Sequence, residues 1–486
     1  MTPKKYYKER IMKPLQKFLC LLLAVMMILP VLSACKKDGQ TSDGNASTGE
    51  QTAIAGIEKK DYGRDFTIIN PEDNFYESYY WSEDDGDSAN IAIANYQREI
   101  AIEEHLGIEI FHVKLSKDEG VMYTTFEQMN FSGSDDYQLA LTHPFVDLVS
   151  MMGAEYLKDL SEIESISMSD EYYNNEIMEN VKYQGHMYLG SSALILSTPM
   201  VILFNKTMAD SFPEVGSDKL YQHVRDKTWT MDQMYTYAQL VDVSLNETQS
   251  NPMFGTYGFV CNIDTEMCSF VSANNYMHAS IDEDGLYQLK DFNNTIFDIF
   301  KKFVTITDSE YFYGWKWYET EKKLTMDSGR AFFSAASQDY MIEQMTSSEV
   351  PLGVLPYPTM QTGMTAKNQD WSGYFVVPAT VADPTLSGEV IELLSYYGET
   401  KIRYEFYDVL LGLQASRVPQ DQEMLEIIFD NLVADPALAF LNKGAEDLSF
   451  IFYVVPFMIR DEEKAMASWY AKYYTKAREQ LMEVNP

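Results

Sequence analysis

A chain of 486 residues with 37 basic against 73 acidic side chains carries a formal charge of −36, a field that repels nucleic acid and anionic lipid headgroups. Anionic solutes are disfavoured as well, because no cluster of Lys and Arg builds a local basic pocket, so a neutral or cationic ligand is favoured. The six histidines are scattered without metal-ligand spacing, and neither a metal nor another cofactor is expected.

Lys4, Lys5, Lys8, Arg10, Lys13 and Lys17 precede an apolar run over residues 18–32, the layout of a secretory signal. The run falls short of the ~20 residues a bilayer span needs, and Pro30 interrupts it. Leu32-Ser33-Ala34-Cys35 resembles the lipobox of bacterial lipoproteins, which implies cleavage before Cys35 and diacylglycerol on its thiol. The alternative is a plain signal anchor, or a cleaved signal followed by a chance cysteine. Residues 1–34 hold six basic residues and one acidic residue, so the remainder carries 31 against 72, a formal −41. Residues 36–51 are rich in Lys, Asp, Gly, Ser, Thr and Asn and cannot bury enough apolar surface to offset their ordering entropy. They read as a flexible tether, within a linker segment of residues 35–61. The rest of the chain exceeds what one hydrophobic core organises, so two lobes are expected.

Residues 66–69 read as a buried strand closed by the Asn70-Pro71 turn. A loop follows, and then a helix whose inward face is read from Ile93, Tyr96 and Ile100, stopped by Gly107. Residues 108–113 and 137–142 are the next strands; strand, helix, strand predicts a right-handed crossover and a parallel sheet. Thr230 caps a helix with Gln233 reaching back, and Met234, Tyr237, Ala238 and Val241 fall on one face. Asp284-Gly285 reads as a two-residue hairpin turn. Leu425, Ile428, Phe429 and Leu432 mark another helix, and residues 460–482 a long one. Of the four cysteines, Cys20 leaves with the signal and Cys35 takes lipid. Export permits a disulfide between Cys261 and Cys268, and two buried thiols fit equally well.

In order along the chain, several segments resemble the extracellular solute-binding proteins of ABC importers, in the large group that includes carbohydrate binders. They are residues 105–110, 157–161, 183–190 and 201–206, the Thr228-Trp229 helix start, and residues 257–259, 328–334, 353–358 and 373–378. Phe204 stands where Tyr is usual in that family, and Arg330 where Lys or Glu is commoner. The resemblance implies an α/β, two-lobed periplasmic-binding-protein-like fold with hinge strands and a ligand cleft. It places residues 62–199 and 371–410 in lobe 1, and residues 200–370 and 411–486 in lobe 2. It also implies a monomer on the extracellular face of the membrane, held there by lipid only, that hands a small-molecule solute to ABC permease subunits.

Ligands of open parallel sheets sit outside the carboxyl ends of the strands. The loop after residues 66–69 is such a place, and it carries Tyr76, Tyr79, Tyr80 and Trp81 beside Glu77, Asp84 and Asp85. Sugars offer C–H faces to aromatic rings and hydroxyls to carboxylates, so this loop suits an oligosaccharide; the rings packing on the lobe surface is the even alternative. Residues 311–318 read as a second aromatic loop, broken at Gly314, with Trp315 and Trp317 facing the cleft or one of them packed in the core. Ser334 is read at a strand end lined by small residues, Trp371 and Tyr374 near the cleft floor, and His143 as a polar contact after the third strand. Trp229 looks structural. A peptide or polyamine-type solute, a glycan sensor without a transport role and a surface glycosidase are the rival readings. No nucleophile elbow, zinc helix, phosphate loop or dinucleotide fingerprint is present, and nothing in the sequence asks for an enzyme.

Overall fold

The computed structural model describes residues 53–72, 89–116, 119–142, 148–197, 199–243, 251–263, 266–290, 293–316, 319, 321, 323–406, 419–437, 474–476 and 478–479. The signal segment, Cys35 and the 36–51 tether lie outside them, as does most of 460–482.

In chain order, β1 (Ala53–Ile54) and β2 (Ile57–Glu58) form a small hairpin. Next come β3 (Arg64–Glu72), α1 (Ala89–Leu106), β4 (Ile108–Ser116), α2 (Glu119–Ser132), β5 (Leu139–Leu141), α3 (Leu148–Gly153) and α4 (Asn175–Asn180). The chain continues through β6 (Val201–Asn205), α5 (Lys206–Ser211), α6 (Ser217–Arg225), α7 (Met231–Ala238), β7 (Tyr257–Asn262) and α8 (Glu266–Ala273). Then follow β8 (Ala279–Ile281), β9 (Tyr287–Leu289), α9 (Asn294–Thr307), β10 (Phe312–Trp315), β11 (Ala331–Ala336), α10 (Gln338–Ser347) and β12 (Leu352–Leu355). The later elements are β13 (Asn368–Gln369), β14 (Phe375–Val376), α11 (Pro384–Tyr397), α12 (Pro419–Phe429) and β15 (Leu432–Val433).

Two sheets organise two lobes. Lobe 1 has the order β14-β5-β3-β4, with β3 parallel to both β4 and β5 and β14 antiparallel to β5. Lobe 2 has the order β10-β7-β11-β6-β12, in which β10, β7 and β11 run parallel and β6 runs against β11 and β12. Phe66, Ile102, Leu139, Phe375 and Leu394 pack in the first core, and Phe204, Phe259, Phe270, Phe333 and Leu355 in the second. The class is α/β with parallel pairing around a strand–helix–strand unit, as the order of elements predicts.

Local chemistry explains most element ends. Gly107 stops α1 in the left-handed region at φ 62°, and a Cβ there would fall on the backbone of Asp61. The Thr230 hydroxyl accepts from the Gln233 N–H at 3.2 Å and opens α7. Asp284-Gly285 lies in the turn from β8 to β9, but the loop is longer than two residues: the Asp282 N–H donates to the Leu286 carbonyl at 2.9 Å, and residues 283–285 turn between them with Gly285 at φ 77°.

Three expectations change, and a choice left open between two readings is decided. The inward face of α1 is not the one read from Ile93 and Tyr96, which are 52% and 41% exposed; Asn95, Arg98, Glu99 and Ile102 are buried instead. That face can carry charge inward because Arg98 donates to the Leu194 carbonyl at 3.1 Å and Glu99 accepts from His112 at 2.9 Å. β3 runs past Pro71 to Glu72 rather than ending at Asn70. β5 pairs only with Ile68 and Ile69, so one side of β3 is open there and a proline costs no ladder bond. Residues 312–315 are strand β10 rather than loop; this edge strand follows β7 with Gly314 opposite Cys261. Finally, Cys261 in β7 and Cys268 in α8 are two buried thiols, not a cystine. Each is held in the lobe 2 core by its own element, and burial pushes the Cys268 thiol well up.

Candidate functional site

The paths between the lobes define where a ligand is held. The chain leaving lobe 1 bridges Pro199 to Asp370 and enters β6 at Val201, which lies opposite Ala336, the last residue of β11. On its return it enters β14 beside the last residue of β5, with Phe375 opposite Leu141. There the Thr142 N–H donates to the Tyr374 carbonyl at 2.8 Å, and the Tyr374 N–H donates to the Thr142 hydroxyl at 3.0 Å. Both crossings therefore join each sheet at its carboxyl edge, and these two edges meet at the crossing strands. Such an edge is where open α/β sheets hold ligands. A third segment joins the crossing: β13 pairs in parallel with β15, Asn368 with Leu432 and Gln369 with Val433, and the Asp370 N–H donates to the Val433 carbonyl at 2.8 Å.

Tyr374 and Trp371 lie on this crossing. Tyr374 is buried, and that burial, together with Asp370 and Asp435, pushes its hydroxyl well above the usual tyrosine range. Trp371 is half-buried. Asp370 accepts from both the N–H and the hydroxyl of Ser372, at 3.0 and 2.7 Å, and so shapes the turn into β14. Trp315 closes β10 at the carboxyl edge of lobe 2 with its side chain buried. Ser334 is not at a strand end: β11 runs on to Ala336, and Ser334 is fully buried opposite Leu203 and Val260, its hydroxyl donating to the Ala335 carbonyl. Its small size serves strand packing there. Tyr76, Tyr79, Tyr80, Trp81, His143 and Trp317 lie outside the described residues. Their stretches leave the chain just after Glu72, Thr142 and Lys316, that is, after the carboxyl ends of β3, β5 and β10.

The sequence reading missed a polar cluster on lobe 1. The Asn70 amide donates to His112 Nδ1 at 2.6 Å, and His112 Nε2 donates to Glu99 at 2.9 Å. Burial lowers the Arg98 guanidinium to about 10, against the opposing pull of Glu99. Asn70 Oδ1 and both polar atoms of the Asn95 amide are buried without a hydrogen-bond partner among the described residues. Asn70 stands near the end of β3, two residues before the aromatic loop departs. The signal for this cluster was present: Asn95, Arg98 and Glu99 recur at i, i+3 and i+4 along α1.

The lobes touch at further places in this conformation. The Tyr287 hydroxyl of β9 donates to the Lys182 carbonyl of lobe 1, and a Cβ on Gly285 would meet the backbone of Gln184 and Gly185. Lys367 pairs with Glu176 at 2.7 Å. At the base of the same hairpin, Asp435 accepts from the His278 ring and from the Ala279 N–H, at 2.8 and 3.3 Å, tying β8 to the segment after β15.

The fold is that of the two-lobed solute-binding proteins of ABC importers. The GacH receptor of Streptomyces glaucescens, solved unliganded and with acarbose, aligns with a TM-score of 0.53 at 13% identity, over 85% of this chain and 98% of its own. A solute-binding protein of Thermotoga lettingae bound with α-D-tagatose aligns with a TM-score of 0.52 at 12% identity, over 87% and 99%. The maltose/maltodextrin-binding domain MalE of Bdellovibrio bacteriovorus, bound to maltotriose, aligns with a TM-score of 0.52 at 15% identity, over 86% and 100%. No protein-family model matches the sequence, and no curated protein matches it significantly. At these identities the likeness is one of fold.

Proposed function

We propose that the protein is a lipid-anchored, extracellular substrate-binding protein of an ABC transporter. It captures an oligosaccharide between its lobes, residues 62–199 with 371–410 and 200–370 with 411–486, and delivers it to a permease. The observation that carries this reading is the meeting of the two carboxyl edges at the crossing strands, with the aromatic and acidic stretch of residues 74–87 leaving one edge. Rings there supply stacking surface and Glu77, Asp84 and Asp85 supply hydroxyl acceptors. Structures of the same fold hold acarbose, tagatose and maltotriose, which supports a carbohydrate over a peptide or polyamine. The mechanism is capture without chemistry: ligand favours the closed lobes only by its greater affinity for them. No helix among the described residues is long and apolar enough to cross a membrane, which is compatible with attachment through Cys35.

Calorimetric titration with a panel of oligosaccharides, peptides and amines tests the ligand class. Trp81→Ala or Trp317→Ala is expected to weaken glycan binding by ~1–3 kcal/mol, the contribution of a buried aromatic platform. Binding of amines or peptides and no glycan overturns the sugar assignment. Cys35→Ser is expected to move the protein from the membrane fraction to the medium; retention on the membrane removes the lipid anchor from the reading.

A further inference from the structure

Lobe 2 holds a pocket of about 200 Å³ that none of the candidate solute-binding residues lines. Its walls include Val224 at the end of α6, Trp229, Pro356, Met364, Ala366 and Ile427. The buried polar side chains of its lining are already engaged. Trp229 Nε1 donates to the Pro356 carbonyl at 2.9 Å, the Tyr357 hydroxyl to buried Glu266, and the Thr359 hydroxyl to the Gln361 carbonyl at 2.9 Å. At its rim the Arg225 guanidinium is clamped by both oxygens of Glu423, at 2.8 and 2.5 Å. A sugar entering this space would shed water and find no free partner among those buried side chains. An uncharged ring loses nothing of that kind and gains contact on several sides. Apolar cavities of about 150 Å³ stay dry and take up benzene, so the volume here suffices for a substituted ring. Exposed Lys227 and Thr365 stand among the lining residues and leave the pocket open to entry from solvent.

Two walls of this pocket lead directly into the hinge. The segment carrying Pro356, Met364 and Ala366 continues into Lys367, which pairs with Glu176 of lobe 1, and then into β13. The end of α12, carrying Ile427, continues through Asn431 into β15. β13 and β15 are bonded to each other, and the Asn368 N–H donates to the Asn431 carbonyl at 2.8 Å. A molecule seated between residues 356–366 and 427–431 therefore props the two segments that form the parallel pair at the crossing.

We propose that this pocket is a second, effector site for an uncharged single-ring aromatic molecule, and that its occupation stiffens the β13–β15 pair. The site is separate from the carboxyl-edge cleft and does not depend on what the cleft binds, so a failed glycan panel leaves it standing.

Toluene is the probe. Saturation-transfer NMR and melting temperature, measured on the full chain at millimolar toluene, are expected to report saturable uptake and a rise of a few degrees. Ala366→Phe fills the pocket from its wall and is expected to abolish uptake; Met364→Phe, two residues earlier on the same segment, does the same if the first variant fails to fold. Toluene uptake that is absent in the parent protein, or unchanged in the folded filled variants, overturns the site. Hydrogen exchange tests the coupling: the amides of Asn368 and Asp370, both donors in the hinge pair, are expected to exchange several-fold more slowly with toluene bound. Uptake with unchanged exchange at both amides overturns the link to the hinge.

Discussion

In lobe 1 the buried carboxylate of Glu392 on α11 takes only neutral donors, the hydroxyls of Tyr172 and Tyr173 at 2.5 and 2.6 Å and the Ser167 N–H at 2.6 Å. In lobe 2 the buried Asp421 on α12 pairs with a cation, Lys206 at 2.6 Å, and also accepts from Tyr221 at 2.6 Å and the Val354 N–H at 3.2 Å. Both acids do the same work, since each fastens a late helix onto much earlier segments, residues 167–173 for α11 and helices α5 and α6 for α12. Their failure modes differ. Glu392 without its donors is a lone buried charge, whereas removing Asp421 strands a second charge, Lys206, which is itself buried.

That contrast orders the expected effects. Asp421→Asn is expected to cost ~3–5 kcal/mol, because it leaves Lys206 uncompensated. The paired change of Lys206→Met with Asp421→Leu should recover most of that loss, and failure to recover would show that the attachment of α12 depends on the ion pair itself. Glu392→Gln keeps an acceptor and is expected to cost less, ~2 kcal/mol. Chemical denaturation of each variant measures the gap, and equal losses would erase the distinction between the lobes.

The same clusters set the alkaline limit. Burial first, and then the neighbouring carboxylates of Glu392 and Asp421, raise Tyr172, Tyr173 and Tyr221 far above the usual tyrosine range. These hydroxyls stay protonated in the folded chain while unfolded tyrosines ionise near ~10. The folded state then binds more protons, so stability is fully present below about pH 10 and falls as pH rises above it. Tyr173→Phe should flatten that decline, and a melting temperature insensitive to pH between about 9 and 11 would break the account.

Gly285→Ala is the mildest test and bears on contact between the lobes rather than on their cores. The left-handed φ of 77° costs an alanine ~1–2 kcal/mol, and the new Cβ would meet the Gly185 nitrogen of lobe 1 at 2.9 Å. Small-angle scattering should then report lobes further apart than in the parent protein; identical profiles would mean that the hairpin contact does not hold them.

Lobe interiors were largely readable from residue order. Strands around Phe66 and Ile110, the Gly107 stop, the Thr230 cap and the Asp284-Gly285 turn depend on side chains and backbone angles within a few residues of each other. Periodicity misled at α1, because apolar spacing marks an inward face only when nothing across the gap satisfies a polar one. His112 and the Leu194 carbonyl do that for Glu99 and Arg98, and both belong to other elements. Ser334 was displaced by two residues for a related reason, since the length of β11 is set by its partners β6 and β7.

By itself, then, the sequence determined the acidic field, the α/β order of elements and most local starts and stops, because composition and short-range chemistry decide those. The crossing strands, the pairing of β13 with β15, the buried acids of α11 and α12 and the pocket beside Trp229 were decided by tertiary structure alone. Each joins residues far apart in the chain, and such contacts form only when packing brings distant segments together, within a lobe or at the crossing, which no local pattern encodes.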